Sequence, residues 1–247
     1  MDDGALLEVL IEASDAIRAA LDGLTGWGPS GARPGQYRTD VVADAAAIAV
    51  LTGAGLGVLS EETGLHHPDR PLFAVLDPVD GSSNAARSLP WYATSICVLD
   101  DQGPRVALVV NQATGERFDG IRGGGARCDG TTIFPSEKTA LADSLIGVSG
   151  YPHRHLGWRQ YRALGAAALD LCAVAAGRLD AYLDCSGDAH GPWDYLGGML
   201  VCTEAGAVVA DLAGRDLVTR GHGDRRTPVA AGTPALLAEL CQRTLGE

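Results

Sequence analysis

The stretch Leu76-Asp77-Pro78-Val79-Asp80-Gly81-Ser82-Ser83-Asn84 decides how this chain is read. The apolar residues just before it, Phe73 to Leu76, predict a buried strand over 72–76. Asp77 then falls at the strand's carboxyl end. Pro78 restricts its own φ and stiffens the turn. Two carboxylates three residues apart on a rigid turn can converge on one point. Like charges gathered out of water are unfavourable until a cation neutralises them. Gly81 permits close backbone approach. Ser82, Ser83 and Asn84 suit a helix start, whose unbonded N–H groups can hold a phosphate. Carboxylates for a hard metal thus sit beside amides for an anion. Taken alone, the segment also reads as an Asp-Pro turn and an Asp-Gly turn on the surface.

Two further segments favour the metal reading. Ser60-Glu61-Glu62 follows the apolar run Gly57-Val58-Leu59, so Glu61 also stands at a strand end. Trp193-Asp194 opens a predicted helix. Each alone has an ordinary explanation: a Glu-Glu pair is usually solvated, and an acid at a helix N-terminus is favoured by the macrodipole. Together Glu61, Asp77, Asp80 and Asp194 form an oxygen-only set, which suits Mg²⁺ or Mn²⁺ and not zinc or copper.

The rest of the chain fits a compact acidic protein. It has 247 residues, 31 Asp+Glu against 19 Lys+Arg, and a formal net charge of −12. Lys138 is its one lysine. An acidic chain without basic blocks is a poor partner for nucleic acid or anionic lipid. The apolar run from Ala45 to Leu59 is broken by glycines and is shorter than the ~18–20 residues of a membrane span. The N-terminus has no signal-like pattern, so a cytoplasmic location is expected. Six scattered cysteines without a CxxC pair predict reduced thiols.

Periodicity predicts helices from Leu7 to about Gly26, from an N-cap at Asp40 to Gly53, over 163–176, from Trp193 to Ala205 and from Pro234 to about Leu245. Strands are expected near 56–60, 72–76, 93–99, 105–110, 115–121, 125–134, 144–148, 180–184 and 228–231. This mixed order implies an α+β or α/β layered sandwich. We expect one catalytic unit over 1–247. A weak seam near 135–140 would divide a metal- and phosphate-binding part (1–137) from a substrate-binding part (138–247) that carries one metal ligand.

Taken in order, Ser60-Glu61-Glu62, Asp77-Pro78-Val79-Asp80-Gly81-Ser82-Ser83-Asn84 and Trp193-Asp194 with Glu204-Ala205-Gly206 resemble the inositol monophosphatase family. The likeness extends to Gly123-Gly124-Gly125-Ala126, Asp129-Gly130, Gly165-Ala166-Ala167 and Asp180-Ala181-Tyr182. It implies an αβαβα sandwich, usually a homodimer, that hydrolyses a small phosphorylated metabolite with two or three Mg²⁺ ions. By position, Glu61, Asp77, the Val79 carbonyl, Asp80 and Asp194 match the family's metal ligands. Asp44 matches an acid that, with the Ser82 hydroxyl and Glu61, activates the attacking water. Gly81, Ser82 and Ser83 match the phosphate cradle. Asp184, Gly165 and Ala166 fall where the family contacts the substrate's alcohol. The family's lysine before Asp44 is missing, and Arg33 or Arg38 is the expected substitute.

The implied reaction is metal-assisted attack of water on a monoester, one of the slowest reactions in water. A covalent Ser82 nucleophile is disfavoured because no histidine is placed to activate it. His190, four residues before Asp194, is a candidate for the pocket wall. Inositol 1-phosphate is the default substrate. Histidinol phosphate, fructose 1,6-bisphosphate and 3′-phosphoadenosine 5′-phosphate are the alternatives. A non-catalytic regulatory relative would be expected to lose a metal ligand, and none is missing. A two-metal nuclease would need a basic track that this chain lacks.

Overall fold

The computed structural model describes residues 1–24, 26–31 and 36–246. Two helices come first, α1 (Asp3–Asp22) and α2 (Arg38–Gly53). In α1, Leu6, Leu10, Ala13, Ser14, Ile17 and Leu21 make one buried stripe at three- and four-residue spacing. The carboxylate of Asp2 caps it, accepting the Ala5 amide at 2.8 Å.

The first sheet contains β1 (Gly57–Ser60), β2 (Gly64–His66), β3 (Phe73–Asp80), β4 (Ala93–Asp100), β5 (Gly103–Asn111), β6 (Arg117–Ile121), β7 (Gly125–Cys128) and β8 (Thr131–Thr132). The short helix α3 (Ser82–Ala85) joins β3 to β4. The strand order is β2-β1-β3-β4-β5-β6-β7-β8. β1 and β3 run parallel, and the other neighbours are antiparallel.

The second sheet contains β9 (Leu145–Ser149), β10 (Gln160–Arg162), β11 (Ala181–Asp184), β12 (Val208–Asp211) and β13 (Pro228–Ala231), in the order β10-β9-β11-β13-β12. Helices α4 (Ala167–Ala175), α5 (Pro192–Ala205) and α6 (Pro234–Leu245) complete the chain.

Side-chain alternation along the strands builds the layers. In β3, Ala74 and Leu76 join a core with α1 and α2, whereas Phe73 and Val75 join a core with α4 and α5. In the second sheet, Tyr182 and Ala230 face that same α4/α5 core, while Ala181, Leu183, Val229 and Ala231 pack with Leu236 and Leu240 of α6. The result is the expected αβαβα sandwich. Residues 133–144 connect the two sheets, and α4 and α5 lie between them.

Several boundaries moved. α2 starts at Arg38 with Tyr37 as its cap, so Asp40 is the third helical residue and accepts the Tyr37 amide at 2.8 Å. β3 continues beyond Leu76 to Asp80 through a bulge. The helix predicted from 163 begins only at Ala167, because Gly165 takes φ +86°, which no helix contains. The short strands β2, β10 and β12 carry too few residues for a periodic signal. Among the described residues, no helix is long and apolar enough to cross a membrane, and all six cysteines are unpaired.

One close approach positions the site. α5 carries Gly197 and Gly198 in its interior, where glycine costs about 1 kcal/mol each relative to alanine. A Cβ at 197 would come to 2.6 Å from Ser95 Oγ of β4, and one at 198 to 2.6 Å from Leu171 Cβ of α4. Their absence lets α5 lie directly on both elements. Its first turn, with Asp194, is thereby brought to the end of β3.

Candidate active site

The site grows from the β3 bulge. Asp77 pairs with Ser95 and Asp80 with Ala93, so three steps on β3 face two on β4. Thr94 Oγ1 donates to the Pro78 carbonyl at 2.9 Å, and the Val79 amide donates to Asp77 Oδ1 at 2.9 Å. Glu61 follows β1, and its amide donates to the Leu76 carbonyl at 3.1 Å. Asp194 is held from its own helix start, with Oδ2 accepting the Gly191 amide at 2.6 Å. Asp80 Oδ2 accepts the Ala168 amide of α4 at 2.7 Å. The first sheet therefore supplies Glu61, Asp77 and Asp80, and the helix layer of α4 and α5 supplies Asp194 and the Ala168 amide.

Carboxylate oxygens of Glu61, Asp77 and Asp194 lie within 4.8 Å of one another. Asp80 is close enough for its charge to act on Glu61 and Asp77. Burial first, and the neighbouring acids second, push Glu61 up to about 8. Burial and the Asp194 charge push Asp80 up to about 8. Asp77 is raised well above the usual carboxylate range, and Asp194 is raised too, both chiefly by burial. Among the described residues no arginine or lysine forms an ion pair with any of the four, although the charges of His190 and Arg225 act on Asp194. An oxygen-only, mutually repelling set, with Asp77 and Asp80 buried and Glu61 and Asp194 half-buried, fits hard divalent cations.

Gly81 joins this cluster to the next feature. It has φ +85°, and a Cβ there would come to 3.0 Å from the Gly165 carbonyl oxygen and 3.1 Å from that of Trp91. Only glycine fits. α3 starts directly after it, and the first amide bonded back is Asn84, to the Gly81 carbonyl at 2.8 Å. The amides of Ser82 and Ser83 precede it and have no backbone acceptor among the described residues. Asn84 Nδ2 bridges the Trp91 and Leu164 carbonyls, both at 2.8 Å. That bridge ties the turn to Gly165 and Ala166, which therefore border it.

A cavity of about 330 Å³ opens here, lined by Gln36, Asp40, Glu61, Glu62, Asp77, Val79, Ser82, Trp193, His222 and Arg225. Two predicted residues are placed elsewhere. Asp44 is buried one helical turn beyond Asp40 and accepts a hydrogen bond from Ser60 Oγ of β1; it does not line the cavity. Asp40 stands in the wall with Ser82 instead. Asp184 is fully buried, accepting the Ser186 amide at 2.8 Å and bonding His190 Nδ1 at 2.9 Å. Neither Asp184 nor His190 lines the cavity, but the charge of His190 acts on Asp80 and Asp194. Burial works against protonation of His190, but the Asp184 bond and the Asp194 charge outweigh it and raise its affinity for a proton. Arg33 lies outside the described residues, and Arg38 opens α2.

Sequence reasoning missed other members. Asp170 of α4 is buried and accepts Trp91 Nε1 at 2.9 Å, and burial pushes it up to about 7. His222 bonds the Glu61 carbonyl through Nε2 at 3.0 Å and lies 5.0 Å from the Trp193 ring. Gln36 Nε2 donates to Glu62. Only Asp170, an acid inside an alanine-rich helix, carried a signal that could have been noticed.

Residues 38–245 match the pattern of the inositol monophosphatase family. The chain belongs to that family. An inositol-1-monophosphatase of Mesorhizobium japonicum is 34% identical over 234 residues, covering 86% of this chain and 82% of its own. A fructose-1,6-bisphosphatase of Pyrococcus furiosus is 31% identical over 206 residues, covering 81% and 80%. Among solved structures, a Pyrococcus horikoshii protein described as similar to inositol-1 monophosphatase superposes with a TM-score of 0.84. It is 25% identical, over 99% of this chain and 98% of the other. Family and relatives alike indicate a phosphatase with the layered α+β fold.

Proposed function

We propose that this protein hydrolyses a small phosphate monoester of a polyol or sugar, with Mg²⁺, to the alcohol and inorganic phosphate. The observation that carries the reading is the largely buried carboxylate cluster, without an ion pair among the described residues, set directly beside the Ser82 and Ser83 amides. Glu61, Asp77, the Val79 carbonyl, Asp80 and Asp194 would hold the cations. When bound, these supply charge neutralisation for the dianion and acidify water.

The chain's own residues do the rest. The Ser82 and Ser83 amides hold phosphoryl oxygens against the turn, and Gly81 keeps that surface bare. Asp40, whose carboxylate is oriented by the Tyr37 amide at 2.8 Å, shares the wall with Ser82 and takes the proton role that the family resemblance implies for Asp44. The water oxygen bonds to phosphorus as its proton passes to a carboxylate oxygen there; the bond from phosphorus to the alcohol oxygen breaks, and the leaving alkoxide takes a proton from solvent, with Gly165 and Ala166 bordering the alcohol. None of the described histidines bonds Ser82, which argues against a covalent serine intermediate.

Phosphate release from inositol 1-phosphate, histidinol phosphate, fructose 1,6-bisphosphate and 3′-phosphoadenosine 5′-phosphate, with Mg²⁺ and with EDTA, tests the reading. Inositol 1-phosphate or another polyol phosphate should turn over, and only with the cation. Absence of cation-dependent turnover across the panel would remove the enzyme reading.

A further inference from the structure

The loop 212–227, between β12 and β13, brings an arginine to the cavity. Asp40, Glu61, Glu62 and Asp77 all stand in the same wall. A guanidinium in such company ordinarily closes onto a carboxylate as a two-pronged fork. Arg225 does not. Its Nη1 donates to two backbone carbonyls, His222 at 2.9 Å and Asp224 at 2.8 Å. Among the described residues its Nε and Nη2 have no hydrogen-bond partner and it forms no ion pair, although its charge acts on Asp194. Its Cζ lies 5.1 Å from the centre of the Trp193 ring, which His222 also approaches, at 5.0 Å.

The other loop arginines are used differently. Arg215 is bonded to Asp211 and Asp188, and Arg220 donates to the Asp100 carbonyl over the Phe73 ring. Arg226 is turned to the carbonyls of Asp216 and Arg225. Arg225 alone among them faces the cavity. It is also rigidly placed: the adjacent Arg226 exchanges backbone hydrogen bonds with His190, at 2.9 and 3.3 Å. His190 is in turn held by Asp184, and Trp193 adjoins Asp194. A fixed positive group with unspent donors, in an acidic cavity, is arranged for an anion that arrives from outside.

We propose that Arg225 is an anion-binding residue of the site, with Nε and Nη2 taking non-bridging oxygens of the substrate's phosphoryl group and of the released phosphate. This rests on the proposed function for the identity of the anion. The phosphoryl group would then be held from two sides, by the Ser82 and Ser83 amides and by Arg225. The carboxylate cluster and its cations lie between. The loop 212–227 thereby becomes part of the binding surface and not only a connection.

Calorimetric titration of the Mg²⁺-loaded full chain with inorganic phosphate, alongside hydrolysis of inositol 1-phosphate, tests this. Arg225→Met keeps the apolar stem on Trp193 and removes the charge. It should weaken phosphate binding and raise KM by about tenfold or more, the scale of a charged hydrogen bond. The Mg²⁺ concentration that half-maximally raises Tm should not increase, since Arg225 supplies no oxygen ligand and its positive charge, which acts on Asp194, opposes the cation. Arg225→Lys should recover part of the affinity, as a point charge without the fork. Added guanidinium ion should restore phosphate binding to Arg225→Ala, a rescue that a purely structural role would not show.

Unchanged phosphate affinity in folded Arg225→Met overturns the proposal, as does equal loss of Mg²⁺ and phosphate affinity. If Arg225→Met fails to fold, absence of guanidinium rescue in Arg225→Ala and no affinity difference in Arg225→Lys overturn it instead. The two readings fail separately. Wild-type protein that binds phosphate through Arg225 but hydrolyses none of the panel keeps the anion site and loses the phosphatase. Wild-type turnover with an indifferent Arg225 does the reverse.

Discussion

Asp80 and Asp211 are both buried aspartates at the end of a strand, and they differ in what surrounds them. Asp211 also pays a burial penalty. Four donors outweigh it: Arg215 Nε at 2.7 Å, Arg215 Nη2 at 3.0 Å, and the amides of Thr227 and Arg215 at 2.8 and 3.1 Å. Its carboxyl is pulled down to about 2. Asp80 has only the Ala168 amide and the charge of His190 against burial and the charges of Asp194 and Asp170, and is pushed up to about 8. The protein can neutralise a buried carboxylate with its own chain, and does so at Asp211. At Asp80 it leaves the neutralisation to something from outside. That contrast separates a structural acid from a functional one better than burial alone.

The largest expected effect breaks the comparison at its two ends. Asp80→Asn should lower kcat by roughly a thousandfold or more, because it removes an oxygen ligand from the cluster. Its Tm without cation should be unchanged or higher, because a repelling charge is gone. Asp211→Asn should do the opposite, lowering Tm by several degrees in the presence and absence of Mg²⁺, because Arg215 loses its partner. Activity assays and thermal denaturation of both variants decide it. Equal losses of Tm in the two would show that the acids are not different in kind.

A second, smaller contrast concerns two acids one helical turn apart. Asp40 lines the cavity, while Asp44 is bonded to Ser60. Asp40→Asn should reduce kcat by roughly a hundredfold, in the range of a lost general base. Asp44→Asn can still accept the Ser60 hydroxyl, and should cost no more than about tenfold by the same measure. A larger loss at Asp44 would return the proton role to it.

These residues show how much was readable in advance. The carboxylates at 61, 77, 80 and 194 were legible because each stands at the end of a strand or the start of a helix, where local sequence sets direction. The layered fold followed from the same alternation of elements. Asp40 and Asp44 were not separable, since i and i+4 share a helix face and the register is settled by Ser60 on another strand. Asp184 was read as substrate-facing because nothing local says that His190 will fold back onto it. Arg225 was invisible for the same reason. The loop 212–227 has no periodic pattern, and its course is set by Trp193, His190 and Asp211, all distant in sequence. Local rules placed what elements carry, and tertiary contacts placed what loops carry.

The smallest effect is a slope with pH, and it sharpens the first comparison. Glu61 and Asp80, both pushed up to about 8, hold protons in the folded protein that they lose on unfolding. Between their unfolded values, near 4, and about 8, the folded state binds more protons, so stability falls as pH rises. Asp211, pulled down to about 2, contributes stability that is already complete above its unfolded value, so it adds no slope from pH 5 to 8. In EDTA, Tm should therefore decline from pH 5 to pH 8, and Asp80→Asn should flatten the decline. Mg²⁺ competes with the same protons, so its increment in Tm should be larger at pH 8 than at pH 5. Thermal denaturation at four pH values, with EDTA and with Mg²⁺, measures both. A Tm that rises towards pH 8 in EDTA, with an equal Mg²⁺ increment throughout, would mean that the cluster carries its charge at no cost and that the cation is not what it waits for.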